Sequence, residues 1–407
     1  MPQHLHVILP DLLWPEPEEL AHIGRAANPA PALATLLQRA APSRGAQLAA
    51  EEQLAALSGY PGAPLAPLRL LGEGGDVQTK DWWLCADPIH LRLMREQMLA
   101  AASHTLQLTA AEAEALVALL NKTFADIGQF HAASPERWYL RLPQPCAFPA
   151  PPLSRIAGRR LHDELPQGGE ATPLLQFLIE AQMLLHSAPT NRQRSGKLPA
   201  NSLWLWGAGA LEQVTGEPSF DHAWGDDALL RGLARHAQRP CQPAPDNAAD
   251  WLANATTGRH LLWLDHCALP TQADDGPGWQ AALEQLEADW FALLLAALDA
   301  GQLESLQIST SGGYGPLTWQ LTPASGWQRL QRGVSRSRTA IHRPAEDPPG
   351  EAPGPGPADC VAEDAAVAVP REHRGDHSRL FRPTGRPGQR PRLPDVRTAR
   401  SALDRRI

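Results

Sequence analysis

The stretch Asn191–Gly209 reads NRQRSGKLPANSLWLWGAG, and the prediction of the fold starts from it. It opens with polar and basic residues, turns at Leu198–Asn201, continues as the apolar run Leu203–Trp206 and ends on small residues. A basic loop that leads into a short hydrophobic strand is how α/β proteins often place a ligand site at the edge of a sheet. A buried strand that follows an exposed loop, with no ligand, is the simpler alternative.

Around this stretch, strands and helices alternate along the chain. Apolar runs that end at turn residues predict buried strands at Leu5–Leu9, Arg259–Leu264 and Leu306–Ser309. The helical spacing of apolar residues predicts a long helix at Trp279–Leu298, whereas the Pro/Leu-rich segment Pro64–Leu71 is predicted to be a connection. This alternation predicts an α/β fold with a mostly parallel sheet sandwiched by helices.

A small α/β unit is predicted to be inserted into the main domain. The segment Asp87–Leu142 shows a strand, a helix and a strand, and Thr109 with Glu112 predicts a capping box for the helix Ala110–Phe124. The predicted division is therefore a first part of the main domain (1–85), an inserted domain (86–165), a second part (166–330) and a tail (331–407).

The tail differs in composition from the rest of the chain. It contains no lysine or tryptophan and is rich in arginine, proline and glycine, so we predict that it is disordered. Nucleic-acid contact through its arginines is an alternative. A shifted reading frame in GC-rich DNA is a third reading, because such frames yield arginine, proline, alanine and glycine.

Composition excludes several functional classes. The 407 residues suffice for two domains, and 43% hydrophobic with 20% charged residues is typical of globular proteins. A formal net charge of -8 argues against a general binder of nucleic acids or membrane surfaces. No apolar run reaches the roughly 18 residues of a membrane span, and the N-terminus lacks a signal-peptide pattern, so a cytoplasmic bacterial protein is expected.

The cysteines suggest neither a disulfide framework nor a structural zinc site, because they are scattered and form no CxxC pair. Free thiols are therefore expected at Cys85, Cys146, Cys241, Cys267 and Cys360.

Common catalytic motifs are absent, and a scattered set of polar residues remains. The chain contains no P-loop, no GxGxxG after a strand, no HExxH and no GxSxG. Guanidinium groups suit phosphate or carboxylate, and carboxylates and imidazoles at strand ends suit divalent metals. The set, which fits phosphoryl transfer on a small anion, is Asp11, Arg92, Asn191, Arg192, Arg194, Lys197, Asp265 and His266. Surface ion pairs and helix caps explain each of these residues separately just as well.

The segment Ser187–Gly209 strongly resembles the signature HPVN-R-x-x-GK-PAN-x-W-x-WG-x-G of archaeal-type cofactor-independent phosphoglycerate mutases, members of the alkaline phosphatase superfamily. Pro88–Leu93 resembles the family's arginine-bearing substrate strand, Thr109–Asn121 its next helix and Trp138–Arg141 the strand after it. The similarity covers roughly residues 5–325. It is greatest to a proteobacterial branch, also labelled regulatory protein of the RpfE type, which usually ends near Trp327.

Enzymes of that family use a serine nucleophile and two divalent metals, commonly manganese or zinc. The resemblance places Asp11 at the first metal aspartate and Ala50-Glu51 at the nucleophilic serine and the aspartate beside it. The first metal-binding segment of the family aligns with Asp265–Asp274. In this chain, aspartates replace two of its histidines and Pro270 replaces an aspartate. The second metal-binding segment of the family aligns with Thr310–Tyr314, where neither of its two metal-ligating residues is retained.

The resemblance therefore implies an alkaline-phosphatase-like fold that retains a substrate loop and has lost most of the catalytic side. The implied substrate-binding residues are Arg92, Asn191, Arg192, Arg194, Lys197 and Asn201, and the candidate metal ligands are Asp11, Asp265, His266 and Asp274. We expect a degenerate mutase without a cofactor that senses a small phosphorylated acid in a regulatory role, with a protein partner possible. An active mutase with two manganese or zinc ions is one alternative, and a protein-interaction module without ligand is the other.

Overall fold

The computed structural model describes residues 3–14, 29–94, 97–157, 164–166, 169–192, 196–312 and 315–323, which belong to one unit of the chain. Arg194, Cys360 and the predicted tail from residue 331 lie outside the described residues. The other cysteines are free thiols, of which Cys85 and Cys267 are buried.

In chain order the strands are β1 (Gln3–Ile8), β2 (Ser43–Arg44), β3 (Trp82–Met94), β4 (Gln97–Ala101), β5 (Gln129–Ala132), β6 (Trp138–Leu142), β7 (Ser202–Gly209), β8 (His222–Trp224), β9 (Cys241–Gln242), β10 (Gly258–Trp263), β11 (Ser305–Thr310) and β12 (Leu317–Leu321). The helices are α1 (Pro31–Leu37), α2 (Ala50–Leu57), α3 (Leu65–Gly72), α4 (Ala110–Thr123), α5 (Leu153–Ile156), α6 (Thr172–Ser187), α7 (Pro189–Arg192), α8 (Ala228–His236), α9 (Ala248–Asn254), α10 (Ala268–Gln272), α11 (Gly276–Leu286) and α12 (Ala292–Ala300).

The larger sheet has the order β2-β12-β11-β1-β10-β8-β9. Every pairing from β11 to β9 is parallel, and the two pairings made by β12 are antiparallel. The central strand β1 places Val7 between Leu262 of β10 and Ile308 of β11, and all three side chains are buried. The predicted strands at these three positions and the predicted mostly parallel sheet are confirmed.

Helices pack against both faces of this sheet, although the face of β1 that carries Ile8 also carries two histidines, His4 and His6. On one face, Leu5 and Val7 pack in a core cluster with residues of α1, α9, α11 and α12. On the other face, Ile8 packs with residues of α2, α3 and α8. The predicted long helix consists of α11 and α12, joined by a π-helical turn at Glu287–Phe291.

A second sheet is built around the long strand β3 and is antiparallel throughout. Strand β3 pairs with β4, β6 and β7, and β5 pairs with β6. The apolar run of the opening stretch lies in β7, where Trp206 pairs with Cys85 and Trp204 with Asp87. The predicted boundaries thus assign β7 and most of β3, which share a sheet, to different segments. The division into domains itself stays a prediction.

The predicted strand-helix-strand order of the inserted unit is confirmed in β3, α4 and β6. The capping box of α4 is also confirmed, because Glu112 N–H donates to Thr109 Oγ1 and Thr109 N–H donates to Glu112 Oε2. None of the helices in the described part of the chain is both long and apolar enough to cross a bilayer.

The prediction that Pro64–Leu71 is a connection is wrong, because this segment forms α3. Pro67 lies in the first turn, where a backbone N–H has no intrahelical partner to lose. Helix α3 crosses α8 at backbone contact: a Cβ added to Gly72 would lie 1.7 Å from Ala228 O, and one added to Gly232 would lie 1.7 Å from Leu68 O. Glycine at both positions permits this close crossing.

Candidate functional site

A cavity of about 380 Å³ opens where the central parallel strands end. It is lined by Asp11, which follows β1, by Ala50, which begins α2, and by Ser311, which follows β11. These positions are far apart in the sequence. The structure therefore brings together three places that the family resemblance singled out separately, and we call this space the strand-end cavity.

Backbone hydrogen bonds fix Asp11 in this cavity. Its φ of 54° is a left-handed conformation, which aspartate tolerates better than most residues. The N–H of Asp11 donates to Ser311 O at 3.0 Å, and Trp279 Nε1 donates to Asp11 O at 3.1 Å. The turn after β1 is thus tied to the turn after β11.

Ala50 contributes only a methyl group, whereas the adjacent Glu51 contributes a carboxyl group that can exchange a proton. The carboxylate of Glu51 accepts a hydrogen bond from Ser154 Oγ of α5. Burial raises the pKa of Glu51 to about 7 against the lowering effect of the hydrogen bond from Ser154. Asp227 makes a smaller upward contribution to this pKa and Arg69 a smaller downward one. Glu51 is therefore a carboxyl group that exchanges its proton near neutral pH.

The four candidate metal ligands do not assemble into a metal centre. Asp265 and His266 are exposed in the turn after β10, and Asp274 is exposed at the end of α10 with a φ of 55°. Among the described residues, no group of three or more His, Cys, Asp or Glu side chains is arranged to hold a metal ion. This donor set does not fit a two-metal site, and whether the chain binds a metal stays a prediction.

A second cavity of about 250 Å³ contains Arg92. The Arg92 side chain is exposed and has no hydrogen-bond or ion-pair partner in the described ranges of the chain. His90 and His104 also line this cavity, whose remaining wall is mainly alanine and leucine. Burial lowers the pKa of His104, against a smaller upward effect of Glu136. We call this space the Arg92 cavity.

Asn191 and Asn201, predicted as ligand contacts, fasten the loop of the opening stretch. Asn191 Nδ2 donates to Leu185 O and Ala200 O, both at 2.8 Å, and Ala200 N–H donates to Asn191 Oδ1 at 3.1 Å. Asn201 Nδ2 donates to Leu91 O at 2.9 Å, and Leu91 N–H donates to Asn201 Oδ1 at 2.7 Å. The loop is therefore held against the residue that precedes Arg92.

The same attachment fixes one wall of the Arg92 cavity. His90 Nδ1 lies 2.9 Å from Pro199 O, so this nitrogen donates and Nε2 remains for a ligand. Leu198 lines the cavity, while Lys197 is exposed on the loop. The Arg192 side chain, like Arg194, lies outside the described part, so their predicted ligand contacts stay predictions.

The two cavities share a wall. Ser154 and Arg155 line the strand-end cavity, and Ala157, directly after α5, lines the Arg92 cavity. The content of proline, glycine and arginine in Pro143–Gly169 predicts a connection back to the main domain, so sequence reasoning missed the helix in this segment. The available signal was the short run Leu153–Ile156 between proline and glycine.

A buried ion pair that sequence reasoning also missed explains the second tryptophan of the WLW run. Arg69 donates to both oxygens of Asp87, at 2.9 and 2.6 Å. Trp206 Nε1 donates to Asp87 Oδ2 at 2.8 Å, and Trp138 N–H donates to Oδ1 at 3.2 Å. The signal was present, since Arg69 and Asp87 are lone charges in apolar runs.

Comparison with known proteins finds relatives over part of the chain. No protein-family model matches it. A segment of 82 residues is 38% identical to a probable 2,3-bisphosphoglycerate-independent phosphoglycerate mutase of Geobacter sulfurreducens, covering 20% of each chain. Over 76 residues the chain is 37% identical to such a mutase of Methanothrix thermoacetophila, covering 18% of this chain and 19% of that protein. The chain thus spans about a fifth of the length of these curated relatives. These matches confirm the resemblance over that segment.

Solved structures of similar proteins cover more of the chain at lower identity. A cofactor-independent phosphoglycerate mutase from Thermoplasma acidophilum is 17% identical with a TM-score of 0.38, over 79% of this chain and 90% of that one. A protein from Pyrococcus horikoshii is 15% identical with a TM-score of 0.47, over 79% of this chain and 87% of that one.

Proposed function

We propose that this chain is a phosphoglycerate-mutase-like protein that lacks the serine-dependent mutase reaction and binds a small phosphorylated acid in a regulatory role. The observation that carries the proposal is the methyl group of Ala50 in the strand-end cavity, at the position that the resemblance aligns with the nucleophile. Alanine has no atom that can form the covalent phosphoryl intermediate.

The Arg92 cavity supports the ligand-binding half of the proposal. An unpaired guanidinium group at a cavity mouth suits bidentate binding of a phosphate or carboxylate. His90 and His104 each offer a further ring nitrogen to the same space. Phosphate at Arg92 would therefore lie in the same cavity as the imidazole rings of His90 and His104.

One experiment with two arms tests this function. In the first arm, a coupled assay with manganese follows the interconversion of 2- and 3-phosphoglycerate by the full chain. We expect no turnover. Turnover that survives purification and disappears in Asp11→Ala would contradict the proposal and favour an active mutase.

In the second arm, calorimetric titration with 3-phosphoglycerate measures binding. We expect Arg92→Gln to weaken binding by about tenfold or more, because hydrogen bonds between charged groups contribute roughly 1.5–3 kcal/mol. Lys122→Gln is the control, since Lys122 is an exposed cation on α4 that lines neither cavity. An absence of binding heat at millimolar 3-phosphoglycerate would contradict the proposal and favour the alternative, a protein-interaction module without ligand.

A further inference from the structure

We propose that Ser154 and Glu51 form a nucleophile-base pair that cleaves small carboxylic esters in the strand-end cavity. This activity is separate from ligand binding at Arg92 and from the mutase reaction. It places a hydroxyl group from α5 beside the position at which α2 has only Ala50.

The geometry of a serine activated by a base is already present. Ser154 Oγ donates its hydrogen bond to Glu51 Oε2, across the contact between α5 and α2. Ser154 also lines the strand-end cavity together with Ala50, so the pair lies at the edge of a space large enough for a small ester. A nucleophile within hydrogen-bond reach of a base is the arrangement that covalent catalysis requires.

The surroundings of Glu51 suit the role of a base at neutral pH. Its pKa is raised to about 7, primarily by burial. The hydrogen bond from Ser154 and the backbone of Glu51 lower this pKa. Asp227, the N-cap of α8, raises it, and Arg69 of α3 lowers it. A general base works best when its pKa lies near the working pH, because it then both accepts and returns a proton readily.

The reaction balances with these two residues and water. Ser154 Oγ bonds to the carbonyl carbon while its proton moves to Glu51, and the carbonyl oxygen takes the negative charge. The bond to the alcohol then breaks, and Glu51 returns the proton to the departing oxygen. Water attacks the acyl-serine in the same way, with Glu51 again holding the proton, and releases the acid. No oxidation or reduction takes place.

The start of α2 offers the partial positive charge of a helix terminus to the negative charge of the intermediate, although the N–H of Ala49 already donates to Glu52 Oε2 at 2.8 Å. Ala49 and Ala50 line the cavity at the N-terminus of this helix. The first N–H groups of a helix have no intrahelical acceptor and carry partial positive charge. Donors aimed at a developing oxyanion are the main source of catalysis in acyl transfer.

The charges of the cavity favour a neutral ester over a phosphate ester. Asp11 and Glu164 both line it, and Arg155, its cation, lies 3.5 Å from Glu164 (Nε to Oε1). An anionic substrate would meet two carboxylates there, and like charges repel in a site of low dielectric. The amide of Gln47 can hydrogen-bond a polar acyl group.

Labelling with a fluorophosphonate tests the proposal, because an activated serine displaces fluoride from this reagent. The full chain is treated at pH values on both sides of about 7, and peptide mapping locates the adduct. We expect modification at Ser154, with a rate that rises through about pH 7. We expect Ser154→Ala to abolish the label and Glu51→Gln to slow it at least about 100-fold, within the range for general-base catalysis.

Ser219→Ala is the matched control, since this exposed serine also hydrogen-bonds within the chain but lies outside the strand-end cavity. It should label like the unchanged protein. An unmodified Ser154 in the unchanged protein, or a rate that Glu51→Gln leaves unaltered, overturns the proposal. Peptide mapping and the pH profile need no variant, so they decide even where Ser154→Ala fails to fold. Hydrolysis of p-nitrophenyl acetate with an initial burst is the expected kinetic counterpart.

Discussion

Glu51 couples folding to pH through a single carboxyl group. Its pKa rises from 4.5 to about 7 on folding, so the folded state binds this proton more tightly than the unfolded state. The stability that this proton contributes is fully present below about pH 4.5 and is lost as the pH rises through about 7. Above about pH 7 the Glu51 carboxylate is ionised in the folded protein, where burial disfavours the charge and lowers the stability.

The variant Glu51→Gln should remove this pH dependence. We expect it to exceed the unchanged protein in stability at about pH 8, by up to about 3 kcal/mol, and to match it near about pH 4.5. Urea denaturation at the two pH values measures the difference. Glu114→Gln, at an exposed position of α4, is the control. Parallel pH dependence of Glu51→Gln and the unchanged protein would show that Glu51 does not titrate in this range.

The structural roles of Asn191 and Asn201 were not predictable from the sequence. Asn191 and Asn201 stood out through the family resemblance, yet their hydrogen bonds to Leu185 and Leu91 are visible only in the folded chain. Asn201 and Leu91 are 110 residues apart. Spacing along the chain predicts local partners such as Thr109 and Glu112, but it carries no information about a partner at that distance.

At the scale of elements, the crossing of α3 and α8 depends on glycine. We expect Gly232→Ala to destabilise the fold by about 1–3 kcal/mol or more, because its methyl group would overlap the backbone oxygen of Leu68, which cannot swing away. Chemical denaturation measures this change. Gly45→Ala is the control, since its methyl group would meet Pro316 Cβ at an ordinary 3.4 Å. Equal stability of the two variants would mean that the helices can separate at little cost.

Periodicity predicted the long buried elements and failed on short ones. The strands β1 and β10 were predicted because buried parallel strands are largely apolar, whereas in β11 the apolar residues Leu306 and Ile308 alternate with polar ones. Helix α3 was missed because Pro67 and the leucines around it are also typical of a connection. Strand β12 was missed because five residues at an antiparallel edge give too short an alternation to distinguish from a turn.

At the scale of the whole molecule, the ion pair of Arg69 and Asp87 joins the two sheets. Arg69 lies on α3, which packs against the larger sheet's helix α8, and Asp87 lies on β3 of the second sheet. Trp206 of β7 completes the junction with its indole N–H. Both charges are buried, with 8% and 1% of the residue surface exposed.

We expect Asp87→Asn to destabilise the protein by about 3–5 kcal/mol, because it leaves a buried guanidinium group without its counter-charge. The double variant Arg69→Met with Asp87→Leu should regain much of that loss, since apolar groups need no partner there. Thermal unfolding of both variants measures the effect. Loss of less than about 1 kcal/mol in Asp87→Asn would show that water reaches Arg69.

The arrangement of the two sheets was not predictable from local pattern. The WLW run was correctly predicted to be a buried strand, but its pairing with β3 bridges more than a hundred positions of sequence. The apolar pattern of a strand indicates whether one or both of its faces are buried, but it does not identify the strand that pairs with it. The meeting of the turns after β1 and β11, in contrast, follows from one general rule, because carboxyl ends of parallel strands share an edge.

The loop that begins at Asn191 is attached to β3 through the side-chain amide of Asn201, so the attachment lasts only as long as that amide stays intact. A donor and an acceptor on one amide reproduce the paired hydrogen bonds of a strand, but an amide can hydrolyse where a backbone ladder does not. Deamidation to aspartate would keep the acceptor for Leu91 N–H, remove the donor and set a carboxylate against Leu91 O. A single covalent change at Asn201 would then weaken the attachment that holds this wall of the Arg92 cavity, while the rest of the molecule stays unchanged.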